Sequence, residues 1–368
     1  MGVGRKSLEV VNPDNRFWNG RRVLMTGHTG FKGAWLWLLL HYLGSKPVGA
    51  ALAPNTAPSL SVLTGITSSE RSHTVNICDA AALDSIVRAH EPEIVFHLAA
   101  QPLVGESYRQ PALTFATNVM GTINLLESLR RSPSVRSVVI VTSDKVYRNP
   151  GKPDGNSETD ALGGHDPYSA SKACAEFAVD SWRLSFYEIE RPDVGIATVR
   201  SGNVIGGGDW ATDRLIPDLI RSFVTGVPAR LRQPSAARSW IHVLEPLVGY
   251  LLLAERLWRE PKSFSQAWNF GPDPGQACPV ETMAQRAIEL WGTPVAWQLN
   301  PDHAFHEAAA LNLDSTKAES ALGWKLRLTL EDAVRWTIQW YREWNSGAPV
   351  NSLCCDQIER YLLNERLS

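Results

Sequence analysis

With 368 residues, 44% of them hydrophobic and 20% charged, the chain has the composition of an ordinary globular protein able to bury one large core or two modest ones. That excludes a disordered chain, a collagen-like rod and a coiled coil. A formal charge of −2, with both signs scattered along the chain, offers no basic stripe for nucleic-acid phosphates, and no nucleic-acid partner is expected.

Residues 1–20 are polar, carry Gly, Pro and Asn, and read as an arm leading into the fold. They lack the basic-apolar-small pattern of a signal peptide, and the longest apolar run, 34–40, is too short for a bilayer. A cytoplasmic protein without a membrane partner is therefore expected. From Arg21 onward, short β-branched runs at 23–26, 47–51, 73–77, 94–99, 138–143 and 195–201 alternate with helix-length stretches. Such alternation predicts an α/β fold, a Rossmann-type doubly wound parallel sheet with helices on both faces. Beyond Gly202 the pattern loosens into Gly/Pro/Asp-rich loops and helices, with one more strand at 267–270, as in a smaller C-terminal substrate-binding lobe.

Near the C-terminus Trp336, Trp340 and Trp344 repeat at i, i+4 and i+8, the spacing of core packing rather than of a sugar platform. Cys78, Cys174, Cys278, Cys354 and Cys355 are odd in number and form no paired Cys-x-x-Cys sets, so free thiols are expected. His303 and His306 alone are too few to hold zinc, and no metal is expected.

The first strand turns into the first helix through Gly27-His-Thr-Gly30-Phe-Lys-Gly33. Glycines there let the backbone approach a pyrophosphate, and the helix N-terminus supplies N–H donors and the positive end of a dipole. The spacing resembles that of short-chain dehydrogenases and marks Gly27, Thr29, Gly30, Phe31 and Gly33 as cofactor residues; a plain tight turn is the alternative. The second strand ends Gly49-Ala-Ala-Leu-Ala-Pro54, without the carboxylate that usually holds the adenosine ribose, which leaves the choice between NAD and NADP open. Asn76-Ile77-Cys78-Asp79 resembles the Asp-Ile-x-Asp stretch that holds adenine, with Asn76 in place of the first acid, and an amide can still bond the base edge. Leu98, Ala99 and Ala100 resemble the small-residue turn beside the cofactor, although tight helix–sheet packing also demands small residues.

Tyr168 and Lys172 form Tyr-x-x-x-Lys. If Pro167 opens a helix, the two share a face, and the ammonium favours a phenolate able to take a hydroxyl proton. Thr142-Ser143-Asp144-Lys145 closes the fifth strand, where parallel sheets bind ligands, although four polar residues could also make a solvated turn.

Together with Thr114-Phe-Ala-Thr-Asn-Val-Met-Gly-Thr122, Gly202-Asn-Val-Ile-Gly-Gly-Gly-Asp-Trp210, Asp213-Arg-Leu-Ile-Pro-Asp218 and His242-Val-Leu-Glu-Pro-Leu247, these strings resemble the CDP-glucose 4,6-dehydratases, extended short-chain dehydrogenases/reductases of the NAD-dependent sugar-nucleotide epimerase/dehydratase family. The similarity runs from about Phe17 to Trp344. It departs at Gly105-Glu106, where the family commonly has a basic residue, and at Arg238-Ser-Trp-Ile-His242. The resemblance implies NAD as cofactor, a nucleotide-sugar substrate, and a lyase that oxidises C4, loses water across C5–C6 and reduces C6. Tyr168 would take the 4-hydroxyl proton, and Ser143 with Thr142 would bond the oxygen at C4. Asp144 would be the acid at C6 and Lys145 the base at C5, with Asn203 and Arg238 on the diphosphate. A 4-epimerase would need no such acid–base pair, and a non-catalytic NAD-binding regulator would need none of this set. The resemblance also implies an NAD-binding domain at 18–201 plus 243–275, a substrate lobe at 202–242 plus 276–345, and terminal extensions at 1–17 and 346–368. It further implies a homodimer on helices 114–130 and 168–187, with Phe115, Val119, Leu125, Phe177 and Trp182 offering an apolar face.

Overall fold

The computed structural model describes residues 11–148, 151–292, 297–299 and 311–364. Six strands, β1 (Arg22–Thr26), β2 (Lys46–Ala51), β3 (Ser72–Thr74), β4 (Ile94–His97), β5 (Ser137–Val141) and β6 (Gly195–Ser201), join the strand Ala267–Phe270 in one parallel sheet. Their order across it is Ala267–Phe270, β6, β5, β4, β1, β2, β3. The chain steps outward from β1 to β3, then returns to lay β4 on the other side of β1. That reversal opens a crevice at the carboxyl ends of β1 and β4, where ligands of doubly wound sheets bind.

Every residue of β4, β5 and β6 is buried, as continuous apolar strands require when helices cover both faces. On one face the helices Phe31–Tyr42 and Leu244–Arg259 press Trp35, Leu39, Leu247 and Leu251 into the larger core. On the other, the helices Ala80–His90, Gly121–Arg130 and Pro167–Trp182 supply Leu83, Val87, Leu126 and Val179. Leu125, expected on an outer apolar face, is fully buried in this second core and takes no part in an outward surface.

Three strands end sooner than their apolar runs. Asn76 Oδ1 accepts the Cys78 N–H and Asp79 caps the next helix through Ala82, so the chain leaves the sheet after Thr74. Leu98 N–H still bonds the Thr26 carbonyl, but the ladder stops at His97. Beyond Val141, Ser143 Oγ accepts the Lys145 N–H and bends 144–146 into a 3₁₀ turn.

Trp336 and Trp340 are buried, and Trp210 meets Trp340, Tyr341 and Trp344 edge-on with ring centroids 5.3–5.9 Å apart. This aromatic cluster fixes the loop at 206–214. The helix Val350–Leu363 buries Leu353, Cys354, Ile358 and Tyr361 against the helix Phe31–Tyr42, which is why the latter can be apolar nearly all round. Tyr361 donates to the buried Glu245 carboxylate at 2.6 Å, tying the C-terminal helix to the core. Short strands Asn203–Ile205 and Trp240–His242 pair beside the crevice, with Ala237–Arg238 bridged to Cys278–Pro279. The five cysteines are unpaired, and His303 and His306 lie outside the described residues. Among the described residues no three His, Cys, Asp or Glu side chains cluster to hold a metal, and no helix is long and apolar enough to cross a membrane.

Candidate active site

All the residues singled out above for cofactor, chemistry or substrate line one cleft of about 680 Å³ at the carboxyl ends of the strands. Its floor is the glycine turn. Gly27 has φ +75°, and a Cβ on it would stand 2.6 Å from the Ala99 nitrogen. A Cβ on Gly33 would lie 2.1 Å from the Gly27 carbonyl oxygen. At Gly30 a Cβ would meet only that same oxygen, at an ordinary 3.5 Å, so a side chain there would fill the cleft instead of striking the protein. Gly30 is also the N-cap of the helix Phe31–Tyr42 and places no side chain over its first N–H groups. Bare backbone, a helix N-terminus and open space together fit a dinucleotide diphosphate.

The flanking residues divide their tasks. Thr29 spends its hydroxyl on the Leu52 carbonyl at 2.9 Å, holding the loop after β2 in place. Phe31 is half-buried on the cleft wall. Asn76 is exposed and its Oδ1 is engaged by Cys78, while Ile77 is buried close to Gly121. Leu98, Ala99 and Ala100 form the opposite wall, with the Ala99 N–H on the Thr26 hydroxyl.

Asp166 caps the helix Pro167–Trp182 by accepting the Ser169 N–H at 2.9 Å, which sets Tyr168 in its first turn and Lys172 one turn later. Burial pushes the Tyr168 phenol up to about 12, against the Ser143 hydrogen bond and the charge of Arg214. Lys172 was expected to supply that charge. Its Nζ instead donates to the Val141 carbonyl at 3.0 Å, and burial brings it down to about 8, against the pull of Glu176. Asp144 is buried and its carboxyl is raised by burial, opposed by Lys145, Ser143, Lys32 and Arg238. Ser143 Oγ lies 3.1 Å from Asp144 Oδ1, and Lys145 is half-buried beside them.

Thr142, in contrast, gives its hydroxyl to Glu176 behind the cleft. Glu176 also accepts from Thr198 at 2.6 Å and from Arg200 Nε and Nη2 at 2.8 Å each, and Arg200 Nη1 reaches the Tyr147 hydroxyl at 2.8 Å. Burial works against the Glu176 carboxylate, but Arg200 and the hydroxyls hold it below the usual range. At the far end, Asn203 pairs with Trp240 in register, which brings Arg238 close to it; the Arg238 Nη1 donates to the Ala237 carbonyl.

Of the cleft cations unremarked in the sequence, Lys32, Arg214, Arg230 and Arg232, the first two sit inside quoted strings. Lys32 Nζ donates to Ser201 Oγ at 2.8 Å, and Arg214 Nη1 meets Asp209 Oδ2 at 2.9 Å. Nothing in residue type separates them from solvated charges; their position within the strings was the available signal.

The family model described as NAD dependent epimerase/dehydratase family matches residues 23–269. A CDP-glucose 4,6-dehydratase of Salmonella typhimurium is 45% identical over 94% of this chain and 97% of its own length. The chain belongs to the NAD-dependent epimerase/dehydratase family. It is an enzyme and its cofactor is NAD, although the second strand carries no ribose-binding acid. A UDP-glucose 4-epimerase of Yersinia pestis, another relative, is 26% identical over 89% of this chain and 99% of its own. The crystal structure of a Streptomyces venezuelae dTDP-glucose 4,6-dehydratase with NAD and TYD bound shares the fold, with TM-score 0.74 and 23% identity over 88% of this chain and 97% of that one.

The glycine geometry separates cofactor binding from folding. Gly30→Val is expected to abolish NAD binding by calorimetry while its melting temperature stays close to wild type, whereas Gly33→Val should lose the fold. Unchanged NAD affinity in Gly30→Val would remove the cofactor from this turn.

Proposed function

We propose that this enzyme is a lyase that converts CDP-glucose to its 4-keto-6-deoxy derivative. The observation that carries the reading is the Asp144–Lys145 pair beside Ser143 and Tyr168 in the NAD cleft, an acid and a base that a 4-epimerase would not use. The extensive identity with the Salmonella enzyme supports cytidine as the nucleoside.

Gly27, Gly30 and Gly33, with Asn76, Ile77 and Leu98–Ala100, would hold NAD, which when bound would supply a two-electron acceptor and donor. Tyr168 accepts the proton of the 4-hydroxyl, and Ser143 bonds both that oxygen and the phenol. The Ser143 hydrogen bond and Arg214 oppose the burial that raises the phenol. The 4-keto group acidifies C5. Lys145 removes the C5 proton while Asp144, whose carboxyl burial shifts toward the protonated form, gives its proton to the departing C6 oxygen. Thr142 acts from behind, joining the end of β5 to the Glu176–Arg200 pair. Asn203 and Arg238 hold the diphosphate, for which a guanidinium fork is suited. The sugar nucleotide thus lies between the portion 18–201 plus 243–275 and the lobe 202–242 plus 276–345.

The same proposal makes the enzyme a homodimer. Leu113, Phe115 and Met120 on one helix, and Phe177 and Leu184 on its neighbour, are 36–58% exposed, an apolar area that a second copy would cover. A cytoplasmic location accords with five unpaired cysteines.

Incubation with CDP-glucose, dTDP-glucose, GDP-mannose and UDP-glucose, followed by mass spectrometry, is expected to show loss of water from CDP-glucose first; an isomer of unchanged mass would instead mark an epimerase. Light scattering at micromolar concentration should give twice the chain mass, and a monomer there would contradict the dimer.

A further inference from the structure

Lys32 is the second residue of the helix Phe31–Tyr42, and by the ordinary rules of stability it is misplaced. A cation at a helix N-terminus opposes the macrodipole, and a lysine in a cleft wall loses hydration as well. No carboxylate lies within ion-pair distance of it among the described residues, and its one hydrogen bond there is to Ser201 Oγ at 2.8 Å. Ser201 is itself buried and bonded to the Tyr250 hydroxyl at 3.1 Å, so this anchor leads into the core. An ammonium has three donors, and one is spent.

The anchor fixes where the ammonium acts. Ser201 ends β6 and is followed by Gly202, and a Cβ added to Gly202 would stand 3.5 Å from Asp144 Oδ2. Asp144 thus turns Oδ1 to Ser143 and Oδ2 to the Ser201–Gly202 turn where Lys32 is held. Each of the two groups feels the other's charge. Burial and Arg214 bring Lys32 down to about 7, and Asp144 works in the opposite direction. The other charged groups around Lys32 are Arg214 at the start of the helix Leu215–Thr225 and Lys172 on the helix Pro167–Trp182.

We propose that Lys32 is a positioning residue of the elimination step: its ammonium, pinned by Ser201 beside the Gly202 turn that Asp144 Oδ2 faces, stabilises from beyond ion-pair distance the Asp144 carboxylate that forms as water departs. The inference rests on the dehydratase reading above. In that step the C5–H bond breaks and its proton goes to Lys145. The electron pair becomes the C5–C6 double bond, the C6–O bond breaks, and the leaving oxygen takes the Asp144 proton and departs as water. Asp144 is left as a carboxylate in a buried site, next to the carbon it has just served. Lys145 has become a cation on one side; Lys32 supplies the countercharge on the other. The charge of Lys32 matters for this step and not for oxidation at C4, which depends on Tyr168.

Lys32→Met keeps the length of the side chain and removes the charge. In single turnovers with CDP-glucose and NAD, formation of reduced cofactor should stay within about threefold of wild type, while the dehydrated product appears on the order of 10²-fold more slowly, the scale set by removing one charge-stabilising donor. Lys32→Ala should show the same split and recover part of the elimination rate on addition of ethylammonium, a response that a merely structural lysine would not give. Wild-type product formation in Lys32→Met would overturn the proposal, as would equal slowing of both steps without amine rescue. If wild-type enzyme yields no dehydrated product from any nucleotide sugar, the dehydratase reading itself has failed and the inference falls with it.

Discussion

The approach of Gly33 to the carbonyl of Gly27 is the constraint on which the rest of the site depends. A Cβ at 33 would be 2.1 Å from that oxygen, so the helix Phe31–Tyr42 can start this close to β1 only with a glycine there. The close start brings the helix N-terminus to the crevice between β1 and β4, and the same turn sends Lys32 across to Ser201 at the end of β6. The anchorage continues outward. Trp35 donates to the Gly207 carbonyl at 2.8 Å, and Gly207 is bare because a Cβ would lie 2.1 Å from the Trp340 ring. A single tight turn therefore registers the cofactor floor, the catalytic row and the loop carrying Arg214.

Behind the catalytic row lies a second fixed point. Glu176 and Arg200 are both buried and joined by two hydrogen bonds along one guanidinium edge, with Thr142, Thr198 and Tyr147 as their further partners. A buried pair of this kind gives little net stability over an apolar core, but losing one partner strands a charge and costs about 3–5 kcal/mol. Its value here is geometric. It joins β5, β6 and the helix Pro167–Trp182 at the level where Ser143 and Lys172 must keep their spacing, and it places a negative charge behind Lys172.

Much of the architecture was legible in the sequence because buried parallel strands are short apolar runs and little else looks like them: β6 and the strand Ala267–Phe270 begin and end where the pattern does. The strand ends at Thr74, His97 and Val141 were not, since side-chain caps from Asn76 and Ser143 and the turn at Leu98 compete with β propensity there. Leu125 shows the limit of reading a helix face without its neighbours: apolar spacing marks a residue as buried, not against what. Within the site, the row from Ser143 to Lys172 could be named from spacing. The inward turn of Thr142 and the carbonyl contact of Lys172 could not, because each depends on an element distant in sequence. Lys32 and Arg214 escaped because a cation looks the same in a sequence whether it meets water or a cleft.

If oxidation, loss of water and reduction take place at one site without release of the sugar, the hydrogen leaving C4 is the hydrogen that arrives at C6. CDP-glucose deuterated at C4, turned over by the wild-type enzyme in ordinary water and examined by nuclear magnetic resonance, tests this directly. The expected product is the 4-keto-6-deoxy sugar with the label in its C6 methyl group. Label retained at C4 in an epimerised sugar, or lost to solvent, would contradict a dehydratase working through this cleft.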